Sequence, residues 1–272
     1  MSNTEFLKTD PFEAARAAAD HIAQETGVDQ HDVALVLGSG WSGAADLIGD
    51  TTATLSADEV PGFHAPAVAG HVGTIRSVLT ADGKRALVLG ARTHYYEGKG
   101  VRSVVHGVRT AAAAGCKTLV LTNGCGGLNE DWEPGTPVLI SDHINLTATS
   151  PLEGATFVDL TDLYSSRIRA LAREVDPTLA EGIYAQFSGP HYETPAEVQY
   201  AKRIGADLVG MSTALEAIAG RHAGMEVFGI SLVTNLAAGI SPVPLSHAEV
   251  LDAGQAAAAR ISTLLAQIIG RL

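Results

Sequence analysis

The chain has 272 residues, of which 46% are hydrophobic, and it carries a formal net charge of -12. No apolar run reaches the roughly 18 residues that a membrane span requires, so we expect neither a membrane protein nor a membrane partner. A strongly negative chain repels polyanions at long range, which argues against nucleic acid as a partner.

The even composition indicates a single α/β domain over residues 1–272, since no linker, repeat or low-complexity tract divides them. The N-terminal sequence has no basic segment followed by an apolar stretch, so no secretory signal is expected. Cys116 and Cys125 lack metal-site spacing and are too few for a disulfide framework. We therefore expect a cytoplasmic protein without a bound metal.

Eight short apolar runs rich in Val, Ile and Leu predict buried strands. They lie at residues 33–37, 72–79, 86–90, 118–122, 137–141, 182–187, 207–210 and 227–234. Four helix starts are marked by a capping side chain three residues before a glutamate, a pattern that satisfies backbone N–H groups of the first turn. The capping residues are Asp10, Thr194, Thr213 and Ser246. Strands alternating with helices predict an α/β fold with a largely buried sheet.

A glycine pattern follows the first apolar run, with Gly38, Gly40 and Gly43 spaced as G-x-G-x-x-G. This spacing is typical of a dinucleotide-binding turn, which also needs a full helix and a second buried strand. Here the helix could run only over residues 41–48, and residues 51–62 are a poor candidate for a buried parallel strand. The surviving interpretation is smaller: Ser39, between two glycines, offers a hydroxyl and close backbone N–H groups to one anion.

A basic segment occupies the middle of the chain, because residues 71–120 contain eight Lys and Arg residues against two acidic ones. This segment either binds a small anion or forms a solvated face. Within it, Arg92 and His94 lie two positions apart, on the same side of an extended chain. A guanidinium and an imidazole hold phosphate well. Taken alone, the pair is more typical of a surface arginine beside a structural histidine.

A second glycine cluster, at Gly124, Gly126 and Gly127, closes another predicted strand. Backbone without side chains lets a ligand approach closely, and it equally allows a plain tight turn. Cys125 lies within this cluster, where a nucleophile is conceivable. We discount that role, because no histidine and acid can be paired with this cysteine from the sequence.

Two polar segments, residues 188–193 and 210–212, come directly before the capped helices that start after Thr194 and Thr213. The N-terminus of a helix presents unpaired N–H groups and a partial positive charge to an anion. Turns between strand and helix are the usual ligand sites of α/β proteins. The alternative is that these polar residues only satisfy backbone groups.

Seven motifs occur in one order and spacing: VLGSG, RTHYYEG, TNGCGGLN, DHINLT, GPHYETPAE, GADLVGMSTALEAIAGRHAG and SLVTNLAAG. Over about residues 30–255 the chain therefore resembles the trimeric, low-molecular-weight purine nucleoside phosphorylases. The resemblance implies one α/β domain with a mixed, partly barrel-like sheet surrounded by helices, assembled as a homotrimer. It further implies purine salvage by reversible phosphorolysis, in which a purine nucleoside and orthophosphate give free base and pentose 1-phosphate. Neither a metal nor an organic cofactor is implied.

The resemblance also implies a role for particular residues. Around orthophosphate it puts Ser39, Arg92, His94, the backbone N–H of Gly124, and Ser212, with His71 near the entrance. Around the sugar it puts Tyr96, Met211, His247, and Phe157 from a neighbouring subunit. Around the base it puts Tyr192, Glu193 and Asn235. Catalytic roles fall to Asn235, Glu193 and His94.

The base-binding pair makes chemical sense for a 6-oxopurine. A purine that leaves with the glycosidic electrons accumulates charge at N7 and O6, where Asn235 can donate an amide hydrogen bond. Glu193 can accept from N1–H and from a 2-amino group. Both contacts should tighten as the base becomes anionic, which is the kind of binding that accelerates a reaction.

Three other functions remain as alternatives. A methylthioadenosine phosphorylase would have Asp near the Asn235 position to hold a 6-amino base, so Asn235 speaks against it. A nicotinamide-dependent dehydrogenase would rest on Gly38 to Gly43 alone. A catalytically silent purine-binding protein would not need the full set of phosphate-site side chains. Comparing cleavage of inosine and methylthioadenosine decides the first alternative, saturable quenching of protein fluorescence by NADH would favour the second, and phosphate-dependent inosine cleavage argues against the third.

Overall fold

A central mixed sheet organises the fold in the computed structural model, which describes residues 9–64, 73–241 and 245–272, with the backbone alone for residues 247–249. Within these ranges the strands are β1 (Val33–Val36), β2 (Gly49–Ser56), β3 (Thr74–Thr80), β4 (Arg85–Leu89), β5 (Thr118–Gly127), β6 (Pro137–Asn145), β7 (Ala180–Gln186), β8 (Leu208–Gly210) and β9 (Glu226–Leu236). Their order is β2-β3-β4-β1-β5-β8-β7-β6-β9, and β5 also pairs with β9. That pairing closes five strands into a barrel, which confirms the predicted fold class.

Strand directions explain the apolar character of the sequence at the centre of the sheet. β1 lies between β4 and β5, parallel to both, and all four of its residues are buried. Strands covered on both faces read as continuous apolar runs. One large apolar cluster lies on each face of the sheet, and a third, smaller cluster surrounds Val198 and Val209.

Helices surround the sheet, and four of those in the described ranges begin where the capping pattern predicts. They are α1 (Pro11–Thr26), α2 (Gly100–Val104), α3 (His106–Ala113), α4 (Ser166–Val175), α5 (Pro195–Arg203), α6 (Ala214–His222) and α7 (His247–Ile269). The Asp10 carboxylate accepts from two N–H groups of α1, and capping boxes start α5 and α6. In the described ranges, no helix combines the length and apolarity needed to cross a bilayer.

Strand boundaries differ most from the apolar runs at β2, β5, β6 and β9, and β6 continues to Asn145, four residues beyond its run. β2 has no apolar run because it is an antiparallel edge strand, paired with β3 and mostly exposed. β5 and β9 extend beyond their runs to Gly127 and Leu236, since their parallel ladder continues through polar residues. Residues of these polar extensions line the cavity described below.

The first glycine motif does not form a dinucleotide-binding turn. A short 3-10 helix (Ser42–Asp46) follows it in place of an α-helix, and the next strand is the exposed edge β2. Gly40 has a φ of 85°, and an added Cβ there would lie 3.0 Å from Cα of Gly254 in α7. The turn is therefore packed against a helix on one side and open to the cavity on the other.

Candidate active site

One cavity collects most of the predicted site residues at the ends of β1, β4, β5, β8 and β9. Its lining consists of Ser39, Arg92, His94, Tyr96, Asn123, Gly124, Cys125, Gly126, Tyr192, Glu193, Val209, Gly210, Met211, Ser212, Thr234, Asn235, Ala237, Leu245 and Val250. Ten of these were predicted from the sequence, from every proposed group: phosphate, sugar and base. The motifs are distant in the chain, and the pairing of their strands in the sheet brings them together.

Arg92 is the buried cation of the cavity, with 4% of its surface exposed. Its Nε donates to Oε1 of Glu216 at 3.0 Å, and its Nη1 donates to the carbonyl oxygen of Thr122 at 2.7 Å. Its Nη2 has no hydrogen-bond partner among the described residues. Two of the three guanidinium nitrogens thus donate hydrogen bonds within the protein, and Nη2 is available to bind an anion.

His94 and Tyr96 line the cavity together, their rings stacked at 4.9 Å. The backbone N–H of His94 donates to Glu97 at 2.7 Å, and its Nδ1 lies 3.4 Å from the same carboxylate. Burial opposes the ionisation of Glu97, but hydrogen bonds from His94 and Lys99 outweigh it and lower the pKa of Glu97 to about 2. Burial raises the pKa of Tyr96 to about 12, so its hydroxyl is a neutral donor and acceptor.

The first glycine turn is tightly fitted against β5. An added Cβ at Gly38 would lie 2.6 Å from the carbonyl oxygen of Thr122 and 2.7 Å from Nη1 of Arg92, which only glycine avoids. At Gly124 an added Cβ would lie 3.5 Å from Cβ of Ser39, so this pair of loops is in direct contact. The predicted anion turn is the Gly38–Gly40 segment, and Gly43 does not line the cavity.

Trp41 supports the same loops from below the cavity. Its side chain is fully buried, and Nε1 donates to the carbonyl oxygen of Asn123 at 3.0 Å. In a trans peptide the carbonyl and the following N–H point in opposite directions. Trp41 thereby fixes the orientation of the peptide that contains the N–H of Gly124. Sequence reasoning missed this residue, because an isolated tryptophan after a glycine turn has no distinctive pattern.

Ser212 and Thr213 form the turn between β8 and α6. Thr213 has a φ of 84°, which is rare for a β-branched residue and is typical of functional sites. Its hydroxyl accepts from Nδ2 of Asn123 at 2.9 Å and lies 3.2 Å from the hydroxyl of Ser212. The capping-box pattern identified Thr213 and Glu216 as a helix start, but it did not reveal the Glu216 bond to Arg92.

Glu193 and Asn235, the predicted base-binding pair, both line the cavity. Glu193 is 7% exposed, and its Oε1 lacks a hydrogen-bond partner within the described part of the chain. Burial raises the pKa of this carboxyl. Asn235 donates from Nδ2 to the carbonyl oxygen of Leu236 at 3.0 Å and accepts at Oδ1 from Thr234 at 2.9 Å. A ligand could therefore replace these two hydrogen bonds of the Asn235 amide, which are made only to adjacent residues.

Three predicted residues are not among the lining. His71 lies outside the described residues, and for His247 only the backbone, at the start of α7, is described. Phe157 is 94% exposed and does not contact the cavity of its own chain. Its assignment to a neighbouring subunit stays a prediction.

Cys125 is not a nucleophile of the thiolate type. The side chain is buried, and burial raises the pKa of its thiol to about 12. Its Sγ donates to the carbonyl oxygen of Leu232 at 3.4 Å. Because the thiolate is the reactive form, a neutral, buried thiol has a packing role.

The basic middle segment contributes little to the cavity. Of its eight Lys and Arg residues, Arg92 alone is among the described lining residues. Others pair with surface acids, as Arg76 does with Asp46 and Arg102 with Glu153. Lys117 is exposed, Arg109 is buried and the other five are half-buried, so the predicted solvated face describes only part of the segment. Within the described ranges, no group of three or more His, Cys, Asp or Glu residues is suited to hold a metal ion.

Comparison with known proteins agrees with this arrangement. The profile of the Phosphorylase superfamily matches residues 32–270. The chain belongs to this superfamily. A purine nucleoside phosphorylase of a Cellulomonas species is 72% identical, over 97% of this chain and 95% of the relative. A purine nucleoside phosphorylase of Mycobacterium tuberculosis is 59% identical, over 97% and 98%.

The fold of solved structures agrees as well. The crystal structure of Schistosoma mansoni purine nucleoside phosphorylase in complex with inosine superposes with a TM-score of 0.87 at 31% identity, over 96% of each chain. A Schistosoma purine nucleoside phosphorylase in complex with hypoxanthine gives a TM-score of 0.85 at 30% identity. The predicted family is confirmed, and the dehydrogenase alternative is wrong.

Proposed function

We propose that this chain catalyses the reversible phosphorolysis of 6-oxopurine nucleosides and deoxynucleosides, such as inosine and guanosine, to free base and (deoxy)ribose 1-phosphate. The proposal rests mainly on one cavity that contains both Arg92 and the predicted base-binding residues Glu193 and Asn235. The Nη2 of Arg92 lacks a hydrogen-bond partner among the described residues. A phosphorolytic site requires a group that binds an anion next to groups that bind a purine. The names of the close relatives support the same reaction.

Orthophosphate is the nucleophile in this proposal. Arg92 would bind it through Nη2, and Ser39, His94, Ser212 and the N–H of Gly124 would donate the remaining hydrogen bonds, with His71 near the entrance. A dianion held beneath the sugar stabilises the positive charge that develops at C1' and then attacks it. Because Arg92 is buried, its charge is screened less by water than that of a surface cation.

The purine leaves as an anion that is stabilised by two side chains. Asn235 would turn its Nδ2 from Leu236 toward N7 and O6 of the base, where charge accumulates. Glu193 would accept from N1–H, and from the 2-amino group of guanine, while Tyr192 covers the ring. A buried carboxylate gains more from such donors than an exposed one, because its oxygen has no water to give up.

Sugar binding and assembly complete the proposal. Tyr96 and Met211 line the cavity and would contact the ribose, with His247 facing the 5'-hydroxyl. Phe157, which is 94% exposed, would close the site of a neighbouring subunit in a homotrimer. The reaction uses neither metal nor organic cofactor, and we expect it to serve purine salvage in the cytoplasm.

The test is an assay of base release from inosine, guanosine, adenosine and methylthioadenosine, each with and without phosphate. We expect release of hypoxanthine and guanine that depends on phosphate, with little cleavage of the two 6-amino substrates. Release of hypoxanthine at the same rate without phosphate would indicate a hydrolase. Preference for methylthioadenosine would favour the alternative phosphorylase, and the absence of any cleavage would favour a silent binding protein.

A further inference from the structure

Glu216 connects two separate parts of the proposed phosphate site without lining the cavity itself. Its Oε1 accepts from Nε of Arg92 at 3.0 Å, and its Oε2 accepts from the backbone N–H of Thr213 at 2.9 Å. Glu216 is 2% exposed and Arg92 is 4% exposed, so water does not compete for either bond. One carboxylate therefore holds a cation on the loop after β4 and a turn after β8.

The turn at Thr213 needs such support. Its φ of 84° is unfavourable for a β-branched residue and persists only where the surroundings determine it. The Glu216 carboxylate holds the N–H of Thr213, and Nδ2 of Asn123 holds its hydroxyl. Ser212 directly precedes this residue and lines the cavity. The orientation of Ser212 thus depends on the contacts of Thr213.

The orientation of Arg92 depends on the same carboxylate. A guanidinium is planar, so fixing Nε against Glu216 and Nη1 against Thr122 also fixes the direction of Nη2. The Glu216 charge further compensates the buried Arg92 in the absence of ligand, which avoids an isolated charge in the interior.

We propose that Glu216 is a positioning residue that sets the spacing between Arg92 and Ser212 for orthophosphate. This inference rests on the proposed function, and it concerns the phosphate side of the reaction only. Loss of the Glu216 contacts should weaken phosphate binding much more than nucleoside binding, because Glu193 and Asn235 have no hydrogen bond to Glu216 in the described structure.

Glutamine cannot replace this glutamate. Both carboxylate oxygens of Glu216 accept hydrogen bonds, whereas Glu216→Gln would turn an N–H2 group toward either Nε of Arg92 or the N–H of Thr213. We expect the KM for phosphate to rise by about tenfold or more, as for loss of a charge-assisted bond, and the KM for inosine to change by less than about threefold. A merely structural role would change both constants together or neither.

Glu181→Gln is the matched control. Glu181 pairs with Arg169 at 2.6 Å and with Arg173 at 3.2 Å, is partly buried, and does not line the cavity. Its loss should lower the melting temperature and leave the KM for phosphate unchanged. Comparing Glu181→Gln with Glu216→Gln separates the effect of losing an ion pair from the effect of misplacing Arg92 and Ser212.

Thr213→Ala is the second variant, for the case in which Glu216→Gln does not fold. It removes the hydroxyl that Asn123 and Ser212 contact and keeps the backbone bond to Glu216. We expect a rise of a few fold in the KM for phosphate, with the KM for inosine unchanged. A wild-type phosphate KM in Glu216→Gln overturns the inference, and a wild-type phosphate KM in Thr213→Ala overturns the step that connects the turn at Thr213 to Ser212; an equal rise in both constants overturns the inference as well. Absence of phosphate-dependent cleavage in the wild type would instead overturn the proposed function.

Discussion

Glu193→Gln should make the protein more stable and less active. The Glu193 carboxyl is 7% exposed, its Oε1 lacks a partner among the described residues, and burial raises its pKa above the ordinary value of 4.5. A raised pKa means that the folded chain favours the protonated form. The associated stability is fully present below the unfolded pKa and is lost as the pH rises through the folded pKa.

The size of the effect follows from this burial. An unsatisfied buried polar group costs about 1–3 kcal/mol, and more when it is charged. Replacing the carboxylate by a neutral amide should recover about 1 kcal/mol at about pH 8, which corresponds to a rise of about 2–4 °C in the melting temperature for a chain of this size. The gain should shrink as the pH falls toward the ordinary pKa, where Glu193 is protonated.

Thermal unfolding of the ligand-free protein, at about pH 8 and at a pH close to the ordinary pKa of glutamate, measures this gain in stability. Glu25→Gln is the control, because Glu25 is exposed. The same variant should lose about tenfold or more in kcat/KM for inosine, and more for guanosine, because guanine offers two donors to Glu193. An unchanged or lower melting temperature at about pH 8 would refute the claim that ionised Glu193 is costly in the folded state. Equal losses for inosine and guanosine would refute its contact with the 2-amino group.

Three further predictions concern single residues. Asn235→Asp should shift preference from inosine toward adenosine, since a carboxylate accepts from a 6-amino group, and an unchanged ratio of kcat/KM values would exclude Asn235 as the base reader. Cys116 and Cys125 have thiol pKa values raised to about 12 by burial, so iodoacetamide should label neither before unfolding, and rapid labelling of the native protein would contradict this. Gly40→Ala should lower the free energy of unfolding by more than about 1 kcal/mol, because φ is 85° there and Gly254 blocks the space for a methyl group. A denaturant midpoint equal to that of wild type would be inconsistent with that contact.

Most of the fold could be predicted because apolar runs and helix caps are local signals. The four predicted helix starts are confirmed, and each of the eight predicted runs overlaps a strand. β2 was missed because an exposed edge strand has no need of an apolar face. The ends of β5 and β9 were missed because their polar residues face the cavity, where binding chemistry replaces burial.

The site was predictable where motifs carry ligand chemistry and unpredictable where residues act through others. Arg92 and His94 were a weak signal alone and were assigned to phosphate through the ordered motifs, and both line the cavity. Glu216 was visible only as a capping residue, because its bond to Arg92 joins positions far apart in the chain. Trp41 had no local signal at all. Such supporting contacts depend on the closed barrel and cannot be read from spacing.

The contact between Gly40 and Gly254 gives helix α7 a mechanical role. An added Cβ at Gly254 would lie 2.7 Å from Cα of Gly40, so the two backbones touch without intervening side chains. The start of α7 lies seven residues earlier, at His247, which is about 10 Å along a helix with a rise of about 1.5 Å per residue. The helix is therefore a rigid spacer of fixed length. Its contact point adjoins Ser39, and Val250, four residues before Gly254 in the same helix, lines the same cavity.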